Sequence, residues 1–309
     1  MKSQIDSVKG VIVPLVTPIN ENEDLNEPDM RRLIDHVIEG GVDAIFVLGT
    51  SGEFIRFDDN MRDKTIACAV RFSNGRKPVF AGISDGGTKR VLTHIKGAVD
   101  AGADAVVCTM PYYIPNQCAS TITKFFCDIA NASEIPLILY NIPSCTGAAI
   151  PLETLDEIAS IPNIVAIKDS GSDISYTAQL IERYAKKGLL SVLVGNESIL
   201  YEAFSLGVDG MVPSLANPFP RLLSALYASH LAGNDKQLAH YCGLVDEFNA
   251  LNGFCEDWMS PNIWRKIALG IMGISNERFT QPVLPVDENM RELVSRAIDG
   301  YHRLFPEKS

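Results

Sequence analysis

The chain has 309 residues, of which 46% are hydrophobic, 21% charged and 8% aromatic, enough for one large α/β core with an appendage and far from the composition of a disordered chain. Its formal charge of −11 argues against a nucleic-acid or anionic-membrane surface; no basic block is long enough to reverse that, and Lys186-Lys187 reads as a helix terminus. Seven cysteines, at 68, 108, 118, 127, 145, 242 and 255, form no CxxC pair, a spacing that suits reduced thiols in the cytoplasm rather than a disulfide scaffold.

In chain order, the amino-terminal apolar stretch is interrupted by Pro14 and Pro18 and is too short to span a membrane. Short apolar runs then recur as candidate strands at Gly10–Thr17, Ala44–Leu48, Val79–Gly82, Ala105–Thr109, Leu137–Asn141, Val165–Lys168, Val192–Gly195 and Gly210–Val212. Their continuous hydrophobicity predicts a parallel sheet covered on both faces. Helical patterns separate them. Asn26 and Asp29 mark a cap before the face Met30, Leu33, Ile34, Val37 and Ile38. Similar faces are Val91, Leu92, Ile95, Ala98 and Val99, then Ile199, Leu200, Ala203 and Phe204, then Leu222, Leu223 and Leu226. Three helices end in like punctuation, GGVDAI at 40–45, AGADAV at 101–106 and LGVDGM at 206–211, where a glycine serves as the helix C-cap.

Eight such units predict an α/β fold, a (β/α)8 TIM barrel. An open doubly wound sheet would want a glycine-rich nucleotide loop after its first strand, and VTPINENEDLN follows instead. Beyond about residue 225 the strand signals stop, and Leu238–Leu251, Pro261–Met272 and Glu288–Phe305 read as helices. The expected organisation is a barrel over 1–225 and a C-terminal helical extension over 226–309.

Barrel chemistry gathers at the carboxyl ends of strands. There the sequence places Thr17, Gly49-Thr50-Ser51-Gly52-Glu53, Pro111-Tyr112-Tyr113, Tyr140-Asn141, Lys168-Asp169, Gly195 and Pro213-Ser214. Lys168 ends an apolar run, so it must meet a counter-charge such as Asp169 or Asp43, reach water, or serve as an unprotonated amine able to form a Schiff base with a carbonyl. Thr50 and Ser51 offer hydroxyls and amides suited to a carboxylate, or equally to a helix cap. Glu53 reads as a buried, hydrogen-bonded structural carboxylate. Tyr140, one strand before Lys168, either relays a proton or packs at the rim. Cys145 has no histidine near it in sequence. The five histidines show no metal spacing, and no segment supplies a phosphate cradle for pyridoxal phosphate, so neither metal nor cofactor is expected.

GTSGEF at 49–54, PYY at 111–113, YNIPSCTG at 140–147 and VAIKDS at 165–170 resemble the dihydrodipicolinate synthase and N-acetylneuraminate lyase family of class I aldolases. The resemblance implies a barrel with a helical extension, usually a homotetramer built as a dimer of dimers. It implies that Lys168 is the Schiff-base lysine, Tyr140 the proton relay, and Thr50 and Ser51 the holders of the carboxylate of pyruvate or another 2-oxo acid. Tyr113 matches the tyrosine inserted across the tight-dimer interface, and Gly195, Glu197, Val212 and Ser214 match channel-lining positions. Cys145 stands where dihydrodipicolinate synthases carry an arginine for a substrate carboxylate, and Ser198 where neuraminate lyases carry a glutamate. IRFDDNMR after GTSGEF departs from the family's usual pattern and leaves the start of the second helix open. The expected function is therefore a pyruvate-dependent aldolase acting on a 2-keto-3-deoxy sugar acid. A dehydratase of a related sugar acid, a neuraminate lyase, a dihydrodipicolinate synthase and a noncatalytic 2-oxo acid binding protein are the alternatives.

Overall fold

The computed structural model describes residues 7–114, 118–254, 260–283 and 288–306; Cys255 lies outside them. Eight strands, β1 (Gly10–Pro14), β2 (Ala44–Val47), β3 (Val79–Gly82), β4 (Ala105–Thr109), β5 (Leu137–Asn141), β6 (Ile164–Asp169), β7 (Ser191–Val194) and β8 (Gly210–Met211), pair in parallel and in chain order into a closed barrel. Pairing of Gly10 with Gly210 and Val11 with Met211 closes it. The fold is the (β/α)8 barrel expected from the sequence.

Three strands match the expected bounds, and the others shift at their ends for local reasons. β1 stops at Pro14 instead of Thr17 because the Val16 amide donates to the Asn217 side chain at 2.9 Å rather than to a neighbouring strand. β2 stops at Val47 because Leu48 takes the left-handed conformation, with φ of 59°. That turn aims the Leu48 carbonyl at Gly82, where a Cβ would lie 2.0 Å from the oxygen, so only glycine fits there. β6 begins one residue early and carries a register shift opposite Leu137 and Ile138.

Side chains alternate across each strand, producing two apolar cores. Ile12, Phe46, Phe80, Val107, Ile138, Tyr140, Ala166 and Leu193 belong to the cluster inside the barrel. Val11, Val13, Ile45, Val47, Val106, Leu139, Ile167 and Val194 pack outward against the helices. Those helices are Glu27–Glu39, Asp59–Ser73, Thr88–Ala101, Ala119–Ala132, Leu152–Ile158, Ile174–Leu180, Leu200–Leu206 and Pro220–Leu231. The first buries Met30, Leu33, Ile34 and Val37, and Asn26 caps it by accepting the Asp29 amide. The second starts at Asp59, with the Asp58 side chain accepting the Met61 amide at 2.8 Å. Residue 225 lies within Pro220–Leu231, and Asp235–Asn249, Ser260–Ile271 and Glu288–Leu304 follow.

The threefold helix-to-strand punctuation has a second function that the spacing alone does not reveal. Gly41, Gly102 and Gly207 are left-handed, with φ of 91°, 83° and 99°; Gly102 and Gly207 are the helix C-caps expected, whereas Gly41 follows the right-handed C-cap Gly40. The aspartate two residues on then reaches back to the amide of the first or second residue of the preceding strand: Asp43 to Val11 at 2.8 Å, Asp104 to Val79 at 2.8 Å, and Asp209 to Val192 at 2.9 Å. Each carboxylate thus satisfies an amide at the start of a strand. Among the described residues, no helix is long and apolar enough to cross a membrane.

Candidate active site

Inward alternation on β6 puts Lys168 inside the barrel mouth and Asp169 on the opposite face. Lys168 pairs in register with Tyr140 on β5 and Leu193 on β7. It is buried, and its Nζ lies 3.9 Å from the centroid of the Tyr140 ring and 5.4 Å from that of Phe46. These aromatic faces attract a cation, and among the described residues Lys168 makes no ion pair.

The two carboxylates that the sequence offers as counter-charges for Lys168 are engaged elsewhere. Asp43 accepts the Val11 amide. Asp169 Oδ1 accepts from Asn141 Nδ2 at 2.8 Å and the Gly171 amide at 2.9 Å, while Oδ2 accepts the Thr177 hydroxyl at 2.7 Å. Asn141 Oδ1 in turn accepts the Ile150 amide at 2.9 Å. Tyr140-Asn141 and Lys168-Asp169 are therefore two matched dipeptides: the first members face the cavity, and the second members lock β5 to β6 behind it.

A cavity of about 220 Å³ opens over Lys168, lined by Thr50, Ser51, Tyr140, Ile142, Ser170, Gly195, Val212, Ser214 and Asn262 among others. The Tyr140 hydroxyl lies 3.4 Å from Thr50 Oγ1. Gly195 is held by its amide, which donates to the Asp169 carbonyl at 2.6 Å. A Cβ there would lie 2.7 Å from Lys168 Cε, so the glycine supplies the space the lysine chain occupies.

A smaller, largely apolar compartment of about 130 Å³ shares Thr50 and Ile142 with the first and adds Phe54, Thr109, Tyr112, Cys145 and Thr146. Burial pushes the Cys145 thiol up, against smaller opposing effects of Ser144 and Lys168, so the sulfur stays a thiol. Thr109, in register with Tyr140, has a buried hydroxyl without a hydrogen-bond partner among the described residues.

Of the nine site residues expected from the sequence, Lys168, Tyr140, Thr50, Ser51, Gly195, Val212 and Ser214 share the larger cavity. Glu197 and Tyr113 stand apart. Glu197 is buried behind Ser214: its Oε1 accepts the Ser214 hydroxyl at 3.0 Å and the Leu215 amide at 2.9 Å, and its Oε2 pairs with Arg265 Nη2 at 2.8 Å. Burial raises its acidity threshold, but Arg265 and these donors outweigh that and hold the carboxyl below its ordinary range. Tyr113 is 93% exposed with φ of 78°, beside the exposed Ile114, and is not among the residues that line the larger cavity.

Glu53 has the structural surroundings expected of it. It pairs with the buried Lys266, and its Oε2 accepts the Thr280 amide at 3.1 Å and hydroxyl at 2.6 Å. Burial again pushes its carboxyl up, and Lys266 and Thr280 together bring it below the ordinary range. Ser170 and Asn262 are lining residues the sequence did not single out. Ser170 follows Lys168-Asp169 in the quoted motif; Asn262 sits in the extension, where only a tertiary contact identifies it.

The family model described as the dihydrodipicolinate synthetase family matches residues 7–300. A 4-hydroxy-tetrahydrodipicolinate synthase of Methanosphaera stadtmanae is 32% identical over 288 residues, covering 92% of this chain and 95% of that one. An uncharacterized DapA-like lyase of Halobacterium salinarum is 32% identical over 285 residues, covering 91% and 90%. The solved dihydrodipicolinate synthase from Bacteroides thetaiotaomicron is 31% identical, with a TM-score of 0.89 over 94% of this chain and 98% of that one.

Proposed function

Since the chain belongs to the dihydrodipicolinate synthetase family and is a lyase of the aldolase type, we propose that it acts through a Schiff base on Lys168, cleaving or forming a 2-keto-3-deoxy sugar acid with pyruvate as the common product or donor. The observation that carries this proposal is the buried Lys168 amine, without an ion pair among the described residues, facing the Tyr140 ring in a cavity that also presents Thr50 and Ser51.

In the cleavage direction, unprotonated Lys168 adds to the C2 carbonyl, and with uptake of one proton, returned at the final hydrolysis, water leaves to form a protonated imine. Thr50 and Ser51 hold the C1 carboxylate and so orient C2 towards the amine. As the C3–C4 bond breaks, its electron pair moves into the imine to form an enamine, and Tyr140 relays the C4-hydroxyl proton while the aldehyde leaves. The enamine regains a proton at C3, and water releases pyruvate and the free lysine. The sum is one sugar acid to pyruvate and a hydroxyaldehyde.

Cys145 favours a sugar acid over the substrate of the synthases. A neutral thiol cannot make the bidentate contact with a second carboxylate that the arginine at the matching family position makes. We further propose a homotetramer in which Tyr113 meets a neighbouring copy's pocket, working in the cytoplasm. The exposed, left-handed Tyr113 and the free cysteines at 68, 108, 118, 127, 145 and 242 support these assignments.

Incubation with pyruvate and borohydride, followed by peptide mass mapping, tests the chemistry: a reduced adduct is expected on the peptide containing Lys168. No adduct under conditions that label a known class I aldolase would refute it. A screen of 2-oxo sugar acids then identifies aldolase activity by released pyruvate, whereas a dehydratase product retains every carbon.

A further inference from the structure

The helix Ser260–Ile271 carries consecutive cationic residues, Arg265 and Lys266, both buried. They reach different acids: Arg265 pairs with Glu197 after β7, and Lys266 with Glu53 after β2. In the closed barrel β1 and β8 stand between those strands, so one helix of the extension grips the mouth at two separated places. Asn262, three and four residues earlier and thus on the same helical face, lines the cavity itself.

Each acid is joined to one wall. Glu53, held by Lys266, occupies a left-handed position with φ of 59°, and its amide donates to the Thr50 carbonyl at 3.1 Å. The Gly52 amide donates to Gly49 at 3.0 Å and the Gly52 carbonyl accepts the Thr17 hydroxyl at 2.8 Å. The turn displaying Thr50 and Ser51 is therefore tied down at Glu53. Across the cavity, Glu197 accepts the hydroxyl of Ser214. Two buried ion pairs are an expensive way to gain stability, since well-packed apolar residues serve as well or better, whereas hydrogen-bonded charges impose a particular geometry.

We propose that Arg265 and Lys266 are positioning residues that set the two walls of the cavity separately: Lys266, through Glu53, the Thr50-Ser51 turn, and Arg265, through Glu197, the Ser214 wall. This assignment rests on the imine function proposed above, in which the first wall holds the carboxylate common to every 2-oxo acid; the second wall, across the cavity, is left to face the part that differs among them.

Two neutral double variants remove each clamp without leaving a buried charge unpaired: Glu53→Gln with Lys266→Met, and Glu197→Gln with Arg265→Met. Rates of borohydride trapping at subsaturating pyruvate and KM for a cleavable sugar acid are measured on each, after a melting curve confirms folding. Loss of the Lys266 clamp is expected to slow trapping about tenfold, the scale set by sub-ångström misplacement of a reacting pair. Loss of the Arg265 clamp is expected to raise KM for the sugar acid about tenfold while reducing trapping far less than the first variant does. If both variants react like the wild type, or both lose trapping and sugar-acid affinity equally, the clamps are merely structural and the proposal fails. If the wild type itself does not trap pyruvate, the imine function fails and this assignment with it. Should a double variant not fold, Lys266→Arg and Arg265→Lys keep the charge while changing its reach, and the same split between trapping and KM decides.

Discussion

Replacing Gly195 with alanine tests how closely the barrel holds its reactive amine. The new methyl carbon would lie 2.7 Å from Lys168 Cε and 2.2 Å from Ser170 Oγ, about 1 Å short of ordinary carbon–carbon contact in the first case. The strand cannot relieve the clash, because the Gly195 amide is bonded to the Asp169 carbonyl at 2.6 Å and Asp169 is itself held by Asn141 and Thr177. The hydroxyl of Ser170 can rotate away, so the remaining displacement falls on the Lys168 side chain. Overpacking of this kind costs about 1–3 kcal/mol of stability, whereas a shift of about 1 Å in a reacting group costs about a hundredfold in rate. Gly195→Ala is therefore expected to stay folded with a melting temperature a few degrees lower, and to trap pyruvate with borohydride about a hundredfold more slowly. Mass mapping over a time course gives the rate, and thermal melting gives the stability. Trapping at the wild-type rate by a folded variant would refute the placement of Lys168 against Gly195.

Tyr140→Phe is expected to keep imine trapping while slowing aldol cleavage about 10²–10⁴-fold; equal loss of both in a coupled assay for released pyruvate would remove Tyr140 from proton relay. Glu53 and Glu197 are both held below the ordinary carboxylate range, so the unfolded chain takes up their protons first. The stabilisation they provide is present above the ordinary glutamate value of about 4.3 and is lost as pH falls through it to the lower folded values. Urea midpoints at pH 7, 5, 4 and 3 should show this drop, and the two neutral double variants should flatten it. Thr109→Val removes a buried hydroxyl that has no partner among the described residues, so the melting temperature is expected to hold or rise, corresponding to relief of about 1–3 kcal/mol; a fall of several degrees would show that the hydroxyl is bonded. Asp43→Ala strips the Val11 amide of its acceptor and is expected to cost about 1–3 kcal/mol in a denaturant titration, with unchanged stability refuting the strand-opening role of the repeated aspartate.

The architecture was legible because apolar runs of strand length alternate with helical faces, and because left-handed glycines punctuate the joints. Strand ends were less legible: Val16 leaves the sheet for Asn217, about 200 residues away, and the left-handed residue that ends β2 is Leu48 rather than a glycine. Lys168, Tyr140, Thr50 and Ser51 were identifiable because each stands in a quoted motif at a strand end. Asp169 seemed an equal partner for Lys168 until alternation along β6 put it on the opposite face, bonded to Asn141.

Local chemistry, through side-chain periodicity, caps and short motifs, was thus enough to determine the barrel, its order and the ring of polar groups at its mouth. The tertiary structure decided which of those groups share a cavity. It placed Glu197 behind Ser214 instead of in the lining, left Tyr113 on the surface, and brought Asn262, Arg265 and Lys266 from the extension to the barrel mouth. Periodicity and motifs are encoded between near neighbours in the chain, whereas partners for buried charges are chosen by packing between residues far apart, as with Lys266 and Glu53, and one sequence carries no local mark of that choice.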